Sequence, residues 1–364
     1  MEALILPQPI NSLWLRNKRR VLSFQAGMAR RRLRGVRSAF YERLWRDAAT
    51  AVGAKTETRP NGLLQISTPS QATFVSQSDL MLDSDIMLRF MANKALTYEF
   101  MASKGIRLPR HVKFDLNSLE TAQTFLQDQD GRPIVIKPAD GTGGGRGVIT
   151  GILTETALVS AARHAAGFNT RLLAEEQLTG ASFRLLYIDG EFIDAVRRES
   201  PIVIGDGKAS VQQLVKRENG ARQSLAAITA LSPLLIDQEA RNTLAASGLS
   251  PSSIPSKDET VRVKLAVNEN GAAQNHIVRD QVHPEIIKTG AELVKDFGIK
   301  FAGLDVTADD ISVPVSNDRV IFNEINVNPG IHHHYLVAEP EQQADVAPKL
   351  LDHMFRTKQG TIEL

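Results

Sequence analysis

Lys137 ends a β-branched run and is followed by DGTGGGRG and a second extended run, all within PIVIKPADGTGGGRGVITGI from Pro133 to Ile152. Glycines let a backbone approach an anionic ligand closely and turn N–H groups toward it, and a lysine supplies a compact charge for phosphate oxygens. Strand, glycine loop, strand, with a lysine ahead of the loop, is the layout of a phosphate clamp. A P-loop would need Gly-Lys-Ser/Thr leading into a helix, and a dinucleotide fold G-x-G-x-x-G before a helix. Arg146 stands where either would carry its next glycine, and the following GVITGI is extended. The loop taken alone also fits a ligand-free hairpin turn.

A second group lies far downstream, in KFAGLDVTAD and RVIFNEINVNPG. Glu324 and Asn326 are two apart on a predicted strand, so both project to one face. With Asp305, at the end of the preceding strand, they make an all-oxygen set. Such ligands suit Mg²⁺, which binds a carboxylate or two together with nucleotide phosphates. The glycine clamp and this cluster are the two halves of a nucleotide-Mg²⁺ site. His332, His333 and His334 do not extend it. Neighbours on an extended chain face opposite ways and do not share one metal, so a structural or substrate-contact role is expected for them. No Gly-x-Ser-x-Gly elbow or His-Glu-x-x-His helix occurs, which leaves hydrolase templates unsupported.

The elements that must position these groups follow from pattern. Leu88 to Pro109 carries apolar residues at helical spacing and predicts one helix, stopped near Gly105. A capped helix is expected from Thr154, a strand from Arg171, and two strands around Asp189-Gly190, a type I′ hairpin signal. A helix from Pro284 to Phe297 feeds the Asp305 strand, and Gly62 to Ser67 reads as a short strand near the N-terminus.

With 364 residues the chain exceeds one ordinary domain. Its 43 Lys and Arg against 41 Asp and Glu give no global argument for nucleic acid or membrane. Arg16, Lys18, Arg19, Arg20, Arg30, Arg31, Arg32, Arg34 and Arg37 nevertheless crowd the start. A solvated helix face is the favoured reading, a surface for an acidic partner or a transit peptide the alternatives. The chain has no cysteine, which excludes disulfides, thiolate metal sites and a cysteine nucleophile. No apolar run approaches the ~20 residues of a membrane span. A cytoplasmic protein is expected, and a homo-oligomer is left open.

These residues resemble the ATP-grasp superfamily, and more closely the ATP-grasp domain of cyanophycin synthetase, a relative of glutathione synthetase and D-alanine-D-alanine ligase. The resemblance covers roughly 84–330 and rests on ANKALT, VIKPADGTGGGRG, AEEQLTG, RLLYIDGEFIDAVRRESPIVIGDGKASVQQLV, DQVHPE, AGLDV and NEINVNPG, in that order. It implies an α/β (α+β) fold that holds ATP between two α+β subdomains, plus a small N-terminal unit. The suggested divisions are 1–83, 84–132, 133–200 with the glycine loop, and 201–364 with the Mg²⁺ site.

The implied activity is carboxylate-amine ligation through an acyl-phosphate, on small-molecule or peptide substrates. The resemblance implies that Lys94 and Lys137 contact phosphates, that Gly143, Gly144 and Gly145 close over the triphosphate, and that Glu175, Glu176, Gln177 and Leu178 form the adenine hinge. Asp305, Glu324 and Asn326 take the place of the Mg²⁺ ligands, and Arg198, or its neighbour Arg197, that of the arginine at the acyl-phosphate. Ser182 replaces the usual acidic ribose contact, and NENGAA from Asn268 departs from the glycine-rich acceptor loop. The length leaves no room for a Mur-ligase-like half, so a complete cyanophycin synthetase is not expected. An ATP-grasp kinase and a degenerate nucleotide-binding module are the alternative readings.

Overall fold

The computed structural model describes residues 31, 33–140, 145–315 and 319–364. Gly143 and Gly144, and the basic residues Arg16, Lys18, Arg19, Arg20, Arg30 and Arg32, lie outside the described residues. Helix α1 (33–51) turns Leu33, Val36, Phe40, Tyr41 and Trp45 inward at helical spacing, and leaves Arg34 exposed. It covers a small antiparallel sheet of β1 (Lys55–Thr58), β2 (Leu64–Ser67) and β3 (Gln71–Val75).

The next segment corrects the single helix expected from Leu88. Two short helices form, α2 (Asp85–Met91) and α3 (Lys94–Ser103). The side-chain oxygen of Asn93 accepts from the Leu96 amide at 3.2 Å and so caps α3. A capping side chain satisfies an amide that a new helix start would leave orphaned, which makes Asn93 a restart point rather than a mid-helix residue. Lys94 thereby becomes the first residue of α3.

Then β4 (His111–Phe114), α4 (Leu119–Gln127), β5 (Ile134–Pro138), β6 (Ile149–Ile152), α5 (Glu155–Ala165) and β7 (Leu172–Glu176) build a four-stranded sheet in the order β4-β7-β5-β6, with both helices packed on one apolar face. Strands β8 (Ala181–Ile188) and β9 (Glu191–Arg198) form a hairpin whose turn, Asp189-Gly190, has φ of 49° and 79°. Both angles are positive, as a type I′ turn requires. An insert follows: β10 (Ile202–Ile204), α6 (Val211–Ala221), α7 (Gln238–Ala246) and β11 (Thr260–Arg262), with its own core around Val211, Leu214, Leu234 and Leu244.

A five-stranded antiparallel sheet, β12-β9-β8-β13-β14, is completed by β12 (Asn275–Ile277), α8 (Pro284–Asp296), β13 (Phe301–Ala308) and β14 (Val320–Val327). Helix α9 (Val346–Thr357) and β15 (Ile362–Glu363) return to the N-terminal sheet, where β15 pairs with β3. The sheets therefore group the chain differently from the divisions its sequence suggests. Strand β4 shares a sheet with the strands flanking the glycine loop, β8 and β9 share one with the Asp305 strand, and β15 joins the N-terminal unit.

The five-stranded sheet is covered on both faces. Ala302, Leu304 and Val306 enter one core with α8, while Phe301, Leu186 and Ile188 enter the other, beneath α1 and α9. Strand alternation puts Gly303 and Asp305 on the face of Phe301. That face starts apolar and becomes charged along the strand.

Candidate active site

Across that face the strand register lines up a row of ionic side chains. Asp305 on β13 lies opposite Arg184 on β8 and opposite Glu324 on β14. Arg198 on β9 lies opposite Ser182, two residues along β8 from Arg184. Arg184 grips both oxygens of Asp305, Nε donating to Oδ1 and Nη2 to Oδ2 at 3.0 Å. Arg198 brings Nη1 to 3.6 Å from the same carboxylate and donates from Nη2 to the Val267 carbonyl at 3.5 Å. Its Nε is buried without a hydrogen-bond partner among the described residues. Burial pushes the Asp305 carboxyl up, but Arg184 and Arg198 outweigh it and hold the group below the usual carboxylate range. Burial and the charge of Arg184 pull the Arg198 guanidinium down to about 10, which leaves it protonated at neutral pH.

Asn326, two residues beyond Glu324, points its amide nitrogen at the Gly303 carbonyl (3.4 Å) and at Asp305 Oδ2 (3.5 Å). Gly303 has no room for a side chain, since a Cβ would stand 2.8 Å from Pro329 and 2.9 Å from Arg184 Cδ. The arginine lies flat over the strand because that position is bare.

Helix α3 joins this row to the four-stranded sheet. Lys94 at its first position pairs with Glu324. One turn later, buried Tyr98 lies with its ring centroid 5.7 Å from Lys137 Nζ, which donates to the tyrosine oxygen at 3.4 Å. Lys137 is also paired with Glu175 of β7 at 2.5 Å. Burial lowers the Lys137 pKa, against the pull of Glu175. The second oxygen of Glu175 is buried without a partner among the described residues. Helix α3 thus stands between two lysine-carboxylate pairs, its own Lys94 with Glu324 of the five-stranded sheet and Lys137 with Glu175 of the four-stranded one.

The remaining hinge residues diverge. Glu176 accepts from the Arg110 amide at 2.9 Å, Gln177 Oε1 accepts from the Gly151 amide at 2.6 Å, and half-buried Leu178 follows them. A Cβ on Gly145 would meet the side-chain amide of Asn268, in the segment between β11 and β12, at 2.6 Å. Ser182 occupies β8 between Arg198 and Thr307 in register. The arginine pair separates as strand neighbours must: Arg198 is 6% exposed against Asp305, whereas Arg197 is 42% exposed and pairs with Glu199.

The histidine run departs from the expected extended geometry. Ile331–His334 is a 3-10 helix, which places the His332 and His333 rings 4.0 Å apart on one side. His334 is fully buried, its Nδ1 at 2.8 Å from Asp194 Oδ2.

Sequence reasoning misses Arg184 and Tyr98. The signals for them are a charge inside the otherwise apolar FRLLYI and the four-residue spacing from Lys94 to Tyr98 on a helix. Arg184 yields a direct prediction. Arg184→Met strands Asp305 in a buried site, and removing one partner of such a pair costs about 3–5 kcal/mol. Urea unfolding will show that loss, and Arg184→Met combined with Asp305→Asn will recover part of it. An unchanged midpoint in the single variant would mean that Arg198 and Lys94 suffice for Asp305.

The donor set fits a hard divalent cation. Asp305 and Glu324 are cross-strand partners, Asn326 is two residues along, and the carboxylates already face cations in Arg184 and Lys94. Among the described residues no three His, Asp or Glu side chains converge as a metal cage. Two carboxylates and a carboxamide instead match a cation that takes its other ligands from phosphates and water.

No family model matches the chain. It is 26% identical over 269 residues to the cyanophycin synthetase of Trichormus variabilis, covering 74% of this chain and 29% of that protein. It is 27% identical over 275 residues to the glutathione biosynthesis bifunctional protein GshAB of Clostridium perfringens, covering 75% and 35%. The chain thus spans about a third of the length of these curated relatives. Among solved structures, a bifunctional glutathione synthetase from Pasteurella multocida superposes with a TM-score of 0.52 at 21% identity, over 85% of this chain and 43% of that one. The resemblance carried by the motifs is borne out, and the fold is that of the ATP-grasp ligases.

Proposed function

We propose, with the ATP-grasp fold as premise, that this chain is an ATP-dependent carboxylate-amine ligase. The observation that carries the reading is the row Arg198, Arg184, Asp305 and Glu324 on one sheet, faced by Lys94 and Lys137. ATP would lie between the two sheets, its phosphates toward the lysines and its base along 175–178, where the unpartnered Glu175 oxygen is an acceptor for an exocyclic amine. Asp305, Glu324 and Asn326 would hold Mg²⁺. When bound, that ion neutralises phosphate charge during transfer.

Lys94 and Lys137 are each held against a carboxylate that phosphate oxygens would displace, so their charge is oriented before the nucleotide arrives. A substrate carboxylate attacks the γ-phosphorus, the bond to the β-γ bridging oxygen breaks, and ADP leaves. The amine then adds to the acyl carbon, phosphate departs with the acyl C–O bond electrons, and the nitrogen's surplus proton passes to the released phosphate. Arg198, with its uncommitted Nε, is the donor for the oxyanion formed at that carbon. Among the described residues no helix is long and apolar enough to cross a membrane. The absence of cysteine suits a reducing compartment, and we assign the protein to the cytoplasm.

Amino-acid and dipeptide pairs are to be screened for amine-dependent nucleotide cleavage, with mass spectrometry of the product. ADP, phosphate and an amide are the expected products. AMP and pyrophosphate would exclude the acyl-phosphate route, and ADP with a stable phosphorylated product would make the protein a kinase.

A further inference from the structure

Tyr98 stands between the two halves of the site and takes no part in the chemistry proposed above. It lies one turn after Lys94 on α3 and is 2% exposed, so its hydroxyl must find partners inside the protein. It finds two. Lys137 Nζ donates to the phenol oxygen at 3.4 Å, and the phenol donates to the Glu175 side chain. Lys137 and Glu175 are also paired directly, Nζ to Oε2 at 2.5 Å, so that lysine, phenol and carboxylate close a triangle. The His111 ring meets the tyrosine ring edge-on with centroids 4.9 Å apart, and His111 is itself the cross-strand neighbour of Glu175. Burial and the charges of Glu175 and Glu324 push the phenol well above its ordinary range, so it keeps its proton at neutral pH and stays a donor.

The two lysine-carboxylate pairs face unequal consequences when phosphates arrive. Glu324 is 33% exposed, and Mg²⁺ would replace Lys94 as its counter-charge. Glu175 is 7% exposed and stands outside the proposed ligand set. Once phosphate oxygens draw Lys137 away, this buried carboxylate loses its cation, and breaking such a pair from one side is strongly unfavourable. A neutral donor that remains on the carboxylate lowers the cost, because hydrogen bonds to the charged form offset its loss of solvent. Tyr98 is the side chain placed to remain, with its ring packed against His111.

We propose that Tyr98 positions Glu175 in the nucleotide-bound state, holding the carboxylate through the phenol after Lys137 has turned to the phosphates, and so keeping the free Oε1 aimed at the base. This rests on the ligase reading above. In the empty site the same hydroxyl is largely redundant, since Lys137 already satisfies the carboxylate. The dependence on Tyr98 therefore appears only when the ligand carries phosphates.

The test measures binding of ADP and of adenosine by calorimetry, in Mg²⁺ and without carboxylate or amine, so that no turnover is needed. Tyr98→Phe keeps the ring and removes the hydroxyl. It is expected to weaken ADP about 10- to 100-fold, the weight of a hydrogen bond to a charged group, and adenosine by no more than about twofold. Equal weakening of the two ligands, or unchanged binding of ADP, would reduce Tyr98 to packing and overturn the proposal. A second comparison uses Glu175→Gln, whose amide needs no counter-charge. In that background Tyr98→Phe should cost ADP less than about threefold, because the two side chains act as one unit. Losses that multiply independently would overturn the proposal. Should the wild type bind neither ligand, the nucleotide reading fails and the proposal with it. Should it bind ADP yet form no amide in the screen above, only the ligase chemistry fails, and the Tyr98 comparison still decides.

Discussion

Glu324→Gln is expected to lower ADP release about a thousandfold while the protein stays folded. The carboxylate sits opposite Asp305 and, with Asn326, supplies the oxygens proposed for Mg²⁺. Making it an amide removes a formal charge from the site, and a metal's stabilisation of transferring phosphoryl charge is worth several kcal/mol, of which ~4 kcal/mol gives that factor. The fold should tolerate the change. Glu324 is 33% exposed and its ion pair with Lys94 is partly solvated, so the stability cost should be about 1 kcal/mol or less. Steady-state ADP release across a Mg²⁺ titration, with a urea melt as control, checks both halves. Near-wild-type turnover from the folded variant would remove Glu324 from the metal site.

The second large effect separates adjacent arginines. Arg198→Ala should depress kcat by about 10²–10³ with little change in the KM for ATP, as for other donors aimed at a developing oxyanion. Arg197→Ala should stay within a few-fold of wild type, because that side chain is half exposed and engaged with Glu199. Arg198 is buried, charged and only loosely tied, at 3.6 Å from Asp305 and 3.5 Å from the Val267 carbonyl. Such an arginine has capacity left for a substrate oxygen. Single-turnover measurements of both variants decide the matter, and a larger effect at Arg197 would transfer the role to it.

Much of the site is legible in the chain. Lys137 ends a β-branched run ahead of glycines, and Glu324 and Asn326 share a strand face by the two-residue period. The Asp189-Gly190 hairpin and the Thr154 cap are equally local, the cap accepting from the Ala157 amide at 3.2 Å. Each of these depends on bond geometry within a few residues, which a sequence encodes directly.

Other features depended on which elements meet. Arg184 and Asp305 are 121 positions apart and become partners through the β8-β13 register, which no local period specifies. Glu175 turns to Lys137 because β7 lies beside β5 in the sheet, although several hinge orientations are compatible with the sequence. The break at Asn93 is as local as the Thr154 cap, although periodicity favours a longer helix there, whereas the 3-10 histidine turn goes with the burial of Ile331 and His334, where an extended chain is expected. Tyr41 reads as one more apolar position on an amphipathic helix, and only the packing of α1 against the turn after β14 gives its hydroxyl a histidine. The chain by itself determined which groups can do chemistry, because residue type and period fix what a side chain offers and the face it leaves by. The tertiary structure decided which groups face one another, because long-range register and helix docking are set by burying apolar faces distant in sequence.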